Sequence, residues 1–349
     1  MPRVIEVRTG ARLHFGPLAS GATEGRCFGG IGMMVDAPAI AFRAVEHDVE
    51  RFIGCSPETS ERIRRLREAW DVGHDSYVPV APPISPGRLK TCPTKQVPLS
   101  WEFETPPVEH AGFGTGTQLS LAVASVLTLR DDGSQLPLSE IAQRSGRGRR
   151  SAIGLHGFAH GGFLVDAGQA GQAALGELAV RLPVPEAWRI VILRPRHSDP
   201  GLSGTQELAA FEALAPMASS LTGRLCRLTL MKILPALQAS DCQAFGSAVA
   251  EYGRAIGDYF EPVQGGVFAD ARVRELIDQR PALGRQLVQS SWGPSVVAFA
   301  PSEAAAEEFQ RELFPQITPD EWMVTVASPR NQGATIRVVA GQGQVPGSG

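Results

Sequence analysis

Residues 110 to 118 read His110-Ala111-Gly112-Phe113-Gly114-Thr115-Gly116-Thr117-Gln118, a spacing suited to holding an anion. The glycines let backbone approach a ligand closely and adopt positive φ. A helix starting behind such a loop offers free N–H groups and the positive end of its dipole, which together hold phosphate. The hydroxyls of Thr115 and Thr117 add donors. The stretch has no GK[ST] of a Walker loop, and it lacks the third glycine and downstream acid of a dinucleotide fingerprint. Gly114, Thr115, Gly116, Thr117 and Gln118 are therefore the expected phosphate contacts.

A second group is Ser145-Gly146-Arg147-Gly148-Arg149-Arg150-Ser151, followed by Gly154 and by Gly161-Gly162-Phe163-Leu164-Val165-Asp166. Arginines among glycines read either as a flexible clamp for anions or as a solvated basic turn. Asp166 closes an apolar run, where a carboxylate is costly unless it pairs or binds a metal. Mg²⁺ ligation beside phosphates is one reading, and an ion pair with a nearby arginine is the other. The third group is Gln289-Ser290-Ser291-Trp292-Gly293-Pro294-Ser295, a small-residue turn whose Trp could wall an aromatic ring. Arg12, His14, Arg194, His197 and Glu207 stand at strand ends or loop edges, and each is a weak signal alone.

These groups must be placed by their flanking elements. Arg3 to Thr9 and Ala11 to Leu18 are strand-like, with Gly10 as a turn, and Met33 to Val45 is extended around Pro38. Glu58 to Trp70 has helical spacing. Residues 76 to 98 hold Pro79, Pro82, Pro83, Pro86, Pro93 and Pro98 and read as a long loop. Trp101, Phe103 and Thr105 alternate as a strand that Pro106-Pro107 ends. Gln118 to Leu129 is an apolar helix, Leu138 to Arg144 a short one, and Gly162 to Asp166 and Trp188 to Leu193 are buried strands. Helices follow over 205–214, 221–237, 242–256 and 271–279. The chain closes with strand 295–300, helix 302–314, strands 322–327 and 335–339, and a Gly-rich tail. The change of character near 195–205 suggests a strand-rich N-terminal domain (1–195), a helix-rich α+β C-terminal domain (196–340), a flexible tail (341–349), and a cleft between the domains.

With 349 residues, 43% hydrophobic and 20% charged, the chain has globular composition and enough length for two cores. Its net charge of −3 provides no field for nucleic acid. No apolar stretch is long enough for a membrane span and the first 20 residues lack a secretory pattern, so the expected location is cytoplasmic. Five widely spaced cysteines (27, 55, 92, 226, 242) suggest neither disulfides nor zinc. Lysine stands only at positions 90, 95 and 232, so anion sites must be built from arginine forks, which suit phosphate and carboxylate.

The order Ala11-Arg12-Leu13-His14-Phe15-Gly16, then the glycine-threonine loop, then a glycine-containing C-terminal turn resembles the GHMP kinase superfamily. Within it, four stretches resemble the β-ribofuranosylaminobenzene 5′-phosphate synthase family: 110–118, Arg147 to Gly154 leading to 161–166, Pro200-Gly201-Leu202-Ser203-Gly204 with Glu207, and Gln289 to Pro294. A superfamily kinase would carry a GxGxGG-like turn where this chain has Ser-Ser-Trp-Gly-Pro. Phe113 and Ala111 depart from the family's usual aliphatic residue and valine, with no loss of a polar group.

The resemblance implies a two-domain GHMP-kinase-like α+β fold with the active site in the cleft. It implies a decarboxylating transfer of phosphoribose from 5-phosphoribosyl 1-diphosphate to 4-aminobenzoate or 4-hydroxybenzoate, releasing CO₂ and diphosphate. That step leads towards methanopterin-type one-carbon carriers. Arg12, His14, Arg147, Arg149, Asp166 and Trp292 are then the expected catalytic positions. Ser290 and Ser291 join the phosphate contacts, Asp166 holds Mg²⁺, and the chain forms a homodimer. An ATP-dependent small-molecule kinase and a non-enzymatic sensor of phosphorylated metabolites are the competing readings.

Overall fold

A computed structural model describes residues 2–21, 25–71, 97–108, 111–129, 134–148, 150–171, 175–196, 209–210, 213–313, 315 and 317–339. His110, Arg149, His197, Glu207, residues 200–204, nearly all of the proline-rich stretch, most of the helix expected over 205–214 and the tail at 341–349 lie outside them.

The strands are β1 (Val4–Gly16), β2 (Gly30–Glu46), β3 (Arg51–Ile53), β4 (Leu99–Phe103), β5 (Phe163–Asp166), β6 (Leu178–Leu182), β7 (Arg189–Pro195), β8 (Val288–Gln289), β9 (Val296–Ala300), β10 (Trp322–Ala327) and β11 (Thr335–Val339). The helices are α1 (Pro57–Asp71), α2 (Thr115–Thr128), α3 (Leu138–Arg144), α4 (Ile153–His160), α5 (Ser219–Leu228), α6 (Leu234–Gln238), α7 (Cys242–Gln264), α8 (Ala271–Gln279) and α9 (Glu303–Leu313), with a π-turn at Thr229–Ile233 joining α5 to α6. Among the described residues they build two sheets. One has seven strands, in the order β11-β1-β2-β4-β3 with β5 on β2 and β6 on β5; the other has four, in the order β10-β7-β9-β8.

The expected turn at Gly10 is a bulge: β1 runs through it, and its pairing with β2 shifts register between Thr9 and Ala11. Gly10 is required there because a Cβ would strike the backbone of Val35. Two strands pair across the boundary expected near residue 195. β7, expected in the N-terminal part, pairs with β10 and β9 in the second sheet. β11, expected in the C-terminal part, pairs with β1. Helix α4 and strand β6 are additions that the sequence pattern did not show.

Two of the apolar cores bear on the site. Ile5, Val7, Phe42 and Trp101 pack with Leu119, Leu121 and Val123 of α2, which fixes the helix behind the glycine loop. The other joins both sheets through α7. Phe245 meets Phe163, Trp188 and Phe299 at ring separations of 5.5, 5.3 and 5.0 Å, and Phe299 meets Phe15 of β1 at 6.0 Å. Burial of several aromatic rings in one cluster is a large apolar contribution. Here it locks the far end of β1 against α7.

Candidate active site

Three backbone segments meet at the end of β1. Arg12 N–H donates to Phe113 O of the glycine loop at 2.8 Å, and Ser291 N–H donates to His14 O at 2.7 Å. The Ser290 hydroxyl donates to Gly112 O at 2.7 Å and accepts from His14 N–H at 3.2 Å. Ser290 is fully buried, so its hydroxyl fastens strand, loop and turn together rather than facing a ligand. The fit leaves no room for side chains. Gly112 sits at φ 85°, and a Cβ on Gly293 would lie 2.5 Å from Gly112 Cα.

Beside this junction a cleft open to solvent runs between β1 and α7. Its polar wall is Arg12, His14, Arg150 and Ser151, and no carboxylate lines it among the described residues. The Arg12 side chain passes between two glycines. A Cβ on Gly114 would lie 2.8 Å from its Nε, and one on Gly154 would lie 3.4 Å from its Cδ. His14 Nε2 and Ser151 Oγ are 3.2 Å apart. Burial, with a smaller push from the Arg12 charge, holds the His14 pKa well below its ordinary 6.5, so its imidazole is neutral near pH 7. A neutral ring among arginines suits hydrogen bonding, while the arginines supply the charge for an anion.

The opposite wall is apolar and is carried by α7. Gly253, Ile256, Gly257 and Phe260 face Phe15, Gly16 and Trp292. Tyr252 holds this wall to β1, its hydroxyl lying 3.1 Å from Gly16 O and 3.0 Å from Pro17 O. Trp292 stacks on Phe260 at 4.1 Å and 24°. The Trp expected as an aromatic wall therefore lines the cleft as one half of a stacked pair. Ser291, at φ 56°, lines it too.

Several expected residues take other tasks. Gln118 is fully buried; its Nε2 donates to Gly154 O at 2.8 Å and its Oε1 accepts from Thr9 Oγ1 at 2.8 Å. It is a tie between β1, α2 and α4, which corrects its expected place as a phosphate contact. Arg147 donates through Nη2 to Ser120 Oγ at 2.9 Å, and Ser120 donates to Gly116 O at 2.7 Å. That places Arg147 beside the first turns of α2 and outside the cleft lining. Gly114 caps α2 in the left-handed region, at φ 62°, with no acidic residue in the first turn. Thr115 is buried and Thr117 half-buried.

Asp166 also departs from expectation. It is fully buried, its Oδ2 accepts from Ala152 N–H at 2.6 Å at the start of α4, and its Oδ1 accepts from Gly168 N–H at 2.8 Å. Burial raises its pKa, and the two backbone amides, His156 and Arg26 pull it back. A carboxylate with both oxygens engaged and no exposure does not fit a Mg²⁺ ligand. No group of three or more His, Cys, Asp or Glu side chains among the described residues could hold a metal ion. Asp166 caps α4 and thereby sets Ser151 and Arg150 at the cleft.

Two side chains escaped the sequence reading, and a third was read there only as one member of a run. Arg150 lines the cleft; it stands in the arginine run, but nothing in the run separates it from its neighbours. Arg62 of α1 lies over Gly116, where a Cβ would collide with its Nη1. A helix face dense with charge gives no sign of one arginine turned inward. Gln264 closes α7 at the rim of the cleft and has no motif around it.

The family model for the C-terminal region of GHMP kinases matches residues 233–316. Over 96% of this chain and 100% of the relative, the sequence is 28% identical to a beta-ribofuranosylphenol 5'-phosphate synthase of Archaeoglobus fulgidus. A second protein of that name from Methanothermobacter thermautotrophicus is 29% identical over 83% of this chain and 87% of the relative. Among solved structures, a mevalonate pyrophosphate decarboxylase from Streptococcus pyogenes superposes with a TM-score of 0.62 at 10% identity, covering 95% of this chain and 98% of that one. A homoserine kinase from Cytophaga hutchinsonii gives 0.55 at 15% identity, covering 96% and 97%. The chain has the GHMP kinase fold, and over nearly its whole length it is similar in sequence to beta-ribofuranosylphenol 5'-phosphate synthases.

Proposed function

We propose that the protein is a decarboxylating phosphoribosyltransferase. It joins 4-hydroxybenzoate or 4-aminobenzoate to 5-phosphoribosyl 1-diphosphate, giving the β-ribofuranosylphenol or β-ribofuranosylaminobenzene 5′-phosphate, CO₂ and diphosphate. The observation that carries this reading is the cleft itself: guanidinium groups and a neutral histidine on one wall, a stacked aromatic pair on the other. The curated relatives carry the phenol in their names, so 4-hydroxybenzoate is the first acceptor to test. In this reading the reaction belongs to the making of methanopterin-type carriers.

The bond changes suit these residues. The bond between ribose C1 and the diphosphate oxygen breaks, and its electron pair leaves with the diphosphate. The ring carbon bearing the carboxylate supplies the pair for the new C–C bond. The C–CO₂ bond then breaks and returns a pair to the ring. No proton moves in the balance, so no titrating base is required, and a histidine kept neutral is consistent with that. Arg12 and Arg150 would balance the anions at the polar wall. Phe15, Ile256, Phe260 and Trp292 would orient the ring and keep water from the sugar cation. Mg²⁺ enters this proposal as the counter-ion of the diphosphate, part of the substrate.

The test is to incubate the protein with 5-phosphoribosyl 1-diphosphate, Mg²⁺ and carboxyl-labelled 4-hydroxybenzoate or 4-aminobenzoate. One labelled CO₂ per diphosphate released is the expected result. ATP turnover with an alcohol acceptor, and no labelled CO₂, would replace the proposal with a kinase.

A further inference from the structure

We infer that Gln264 determines specificity for the substituent opposite the carboxylate on the aromatic substrate, accepting a hydrogen bond from a 4-hydroxyl or 4-amino group. The inference rests on the proposed function and names what selects the acceptor within that site.

Gln264 is the last residue of α7 and lines the cleft. Its amide is oriented by its neighbours. Nε2 donates to Gly266 O at 2.9 Å and to Val267 O at 3.1 Å, which uses both of its hydrogens. Oε1 accepts one hydrogen, from Gln289 Nε2 at 3.2 Å. Gln289 is itself fixed, since its Oε1 accepts from Ala269 N–H at 2.7 Å and its Nε2 also donates to Ser291 O at 2.9 Å. The carbonyl oxygen of Gln264 therefore keeps one open acceptor position. The amide nitrogen cannot offer a donor without giving up one of its two bonds to the 266–267 backbone.

The position along α7 matters. Gln264 follows Phe260 by one helical turn and Ile256 by two, about 12 Å of helix rise. Ile256 abuts Gly16 of β1, where an added Cβ would come within 2.6 Å of its Cγ1. Phe260 carries the stacked Trp292. An aromatic acid bound with its ring beside this pair and its carboxylate toward Arg12 and Arg150 has its 4-position left to meet the Gln264 end. Both acceptors of the proposed reaction carry a donor there, and unsubstituted benzoate does not. The arrangement selects for that donor and does not distinguish hydroxyl from amine.

The test compares wild type with Gln264→Leu and Gln264→Met in calorimetric titrations with 4-hydroxybenzoate and with benzoate, in the presence of inorganic diphosphate. Wild type should bind 4-hydroxybenzoate at least about tenfold more tightly than benzoate, the worth of one partly buried hydrogen bond. In both variants that ratio should fall to within about twofold, with benzoate affinity unchanged; retained benzoate binding shows the cleft still formed. A wild-type ratio kept in the variants overturns the inference, and so does an equal loss for both acids. Labelled CO₂ release by wild type, measured alongside, separates the two claims. Release together with a kept ratio overturns the role of Gln264 alone, whereas no release and no binding of either acid overturns the proposed function and this inference with it.

Discussion

At the scale of single residues, burial sets what the two best-placed titratable groups can do. Burial and the Arg12 charge depress the folded-state pKa of His14, so the native chain binds its proton less readily than the unfolded chain. Its contribution to stability is fully present above pH about 6.5 and is lost as pH falls towards the folded value. The slope is at most about 1.4 kcal/mol per pH unit. Thermal unfolding from pH 7.5 to 5 should show this decline in wild type and a shallower one in His14→Gln; equal slopes would mean that another group titrates. Asp166 gives a different expectation. Replacing it with Asn leaves one of its two backbone donors facing an NH₂ group, a loss of about 1–3 kcal/mol. The Mg²⁺ dependence of activity should stay as in wild type. A steeper Mg²⁺ requirement at unchanged unfolding temperature would restore Asp166 as a metal ligand.

At the scale of elements, the start of α2 is shaped by what lies across it. Glycine at 116 has two explanations: it lets an anion reach the backbone, or it leaves room for the Arg62 guanidinium. These separate in a double-mutant cycle. Gly116→Val should weaken inorganic diphosphate binding by about tenfold, on the order of 1.4 kcal/mol. In an Arg62→Met background the same change should cost far less, because the side chain it displaces is gone. A full additional loss in that background, read by calorimetry, would leave Gly116 acting through backbone approach alone. A similar crowding holds the turn to the loop. Gly293→Ala should lower stability by about 1–3 kcal/mol, since its Cβ would press on Gly112, and a shift in urea midpoint measures it.

At the scale of the whole molecule, much of the architecture was legible. Helices at 138–144 and 271–279 and strands at 322–327 and 335–339 lie where periodicity places them. What was hidden had physical causes. α4 reads Ile-Gly-Leu-His-Gly-Phe-Ala-His, and two glycines in eight residues argue against a helix. They are there because Gly154 abuts Thr117 and Arg12, and Gly157 abuts Met34. At the candidate site, the loop and the Trp turn were visible as motifs. The inward turn of the arginines at 62 and 150 was not, because the sequence shows charge without direction. Strand partners were equally hidden, since nothing in Thr335–Val339 says that it joins the first strand of the chain.

That last pairing yields a prediction about the molecule as a whole. β11 forms the edge of the seven-stranded sheet, with five residues in register against Val4 to Arg8 of β1. The segment leading to it is tied down as well. Arg330 N–H donates to Met34 O at 2.9 Å, Gly162 N–H donates to Arg330 O at 2.7 Å, and the Asn331 side chain makes two bonds of 2.8 Å to the Val184 backbone. These residues lie beyond the GHMP kinase C-terminal match at 233–316, yet they complete the N-terminal sheet whose first strand carries Arg12 and His14. At about 1 kcal/mol for each net hydrogen bond, ending the chain at Ala327 should remove several kcal/mol. It should also bare β1 as a long, unpaired edge, the feature that invites aggregation. We therefore expect the chain cut after Ala327 to be largely insoluble, or to unfold at least about 10 °C lower, while a chain ending at residue 340 behaves as wild type. If the shorter chain keeps the wild-type unfolding temperature and solubility, β1 needs no partner on that side and the C-terminal strand is an accessory to the fold.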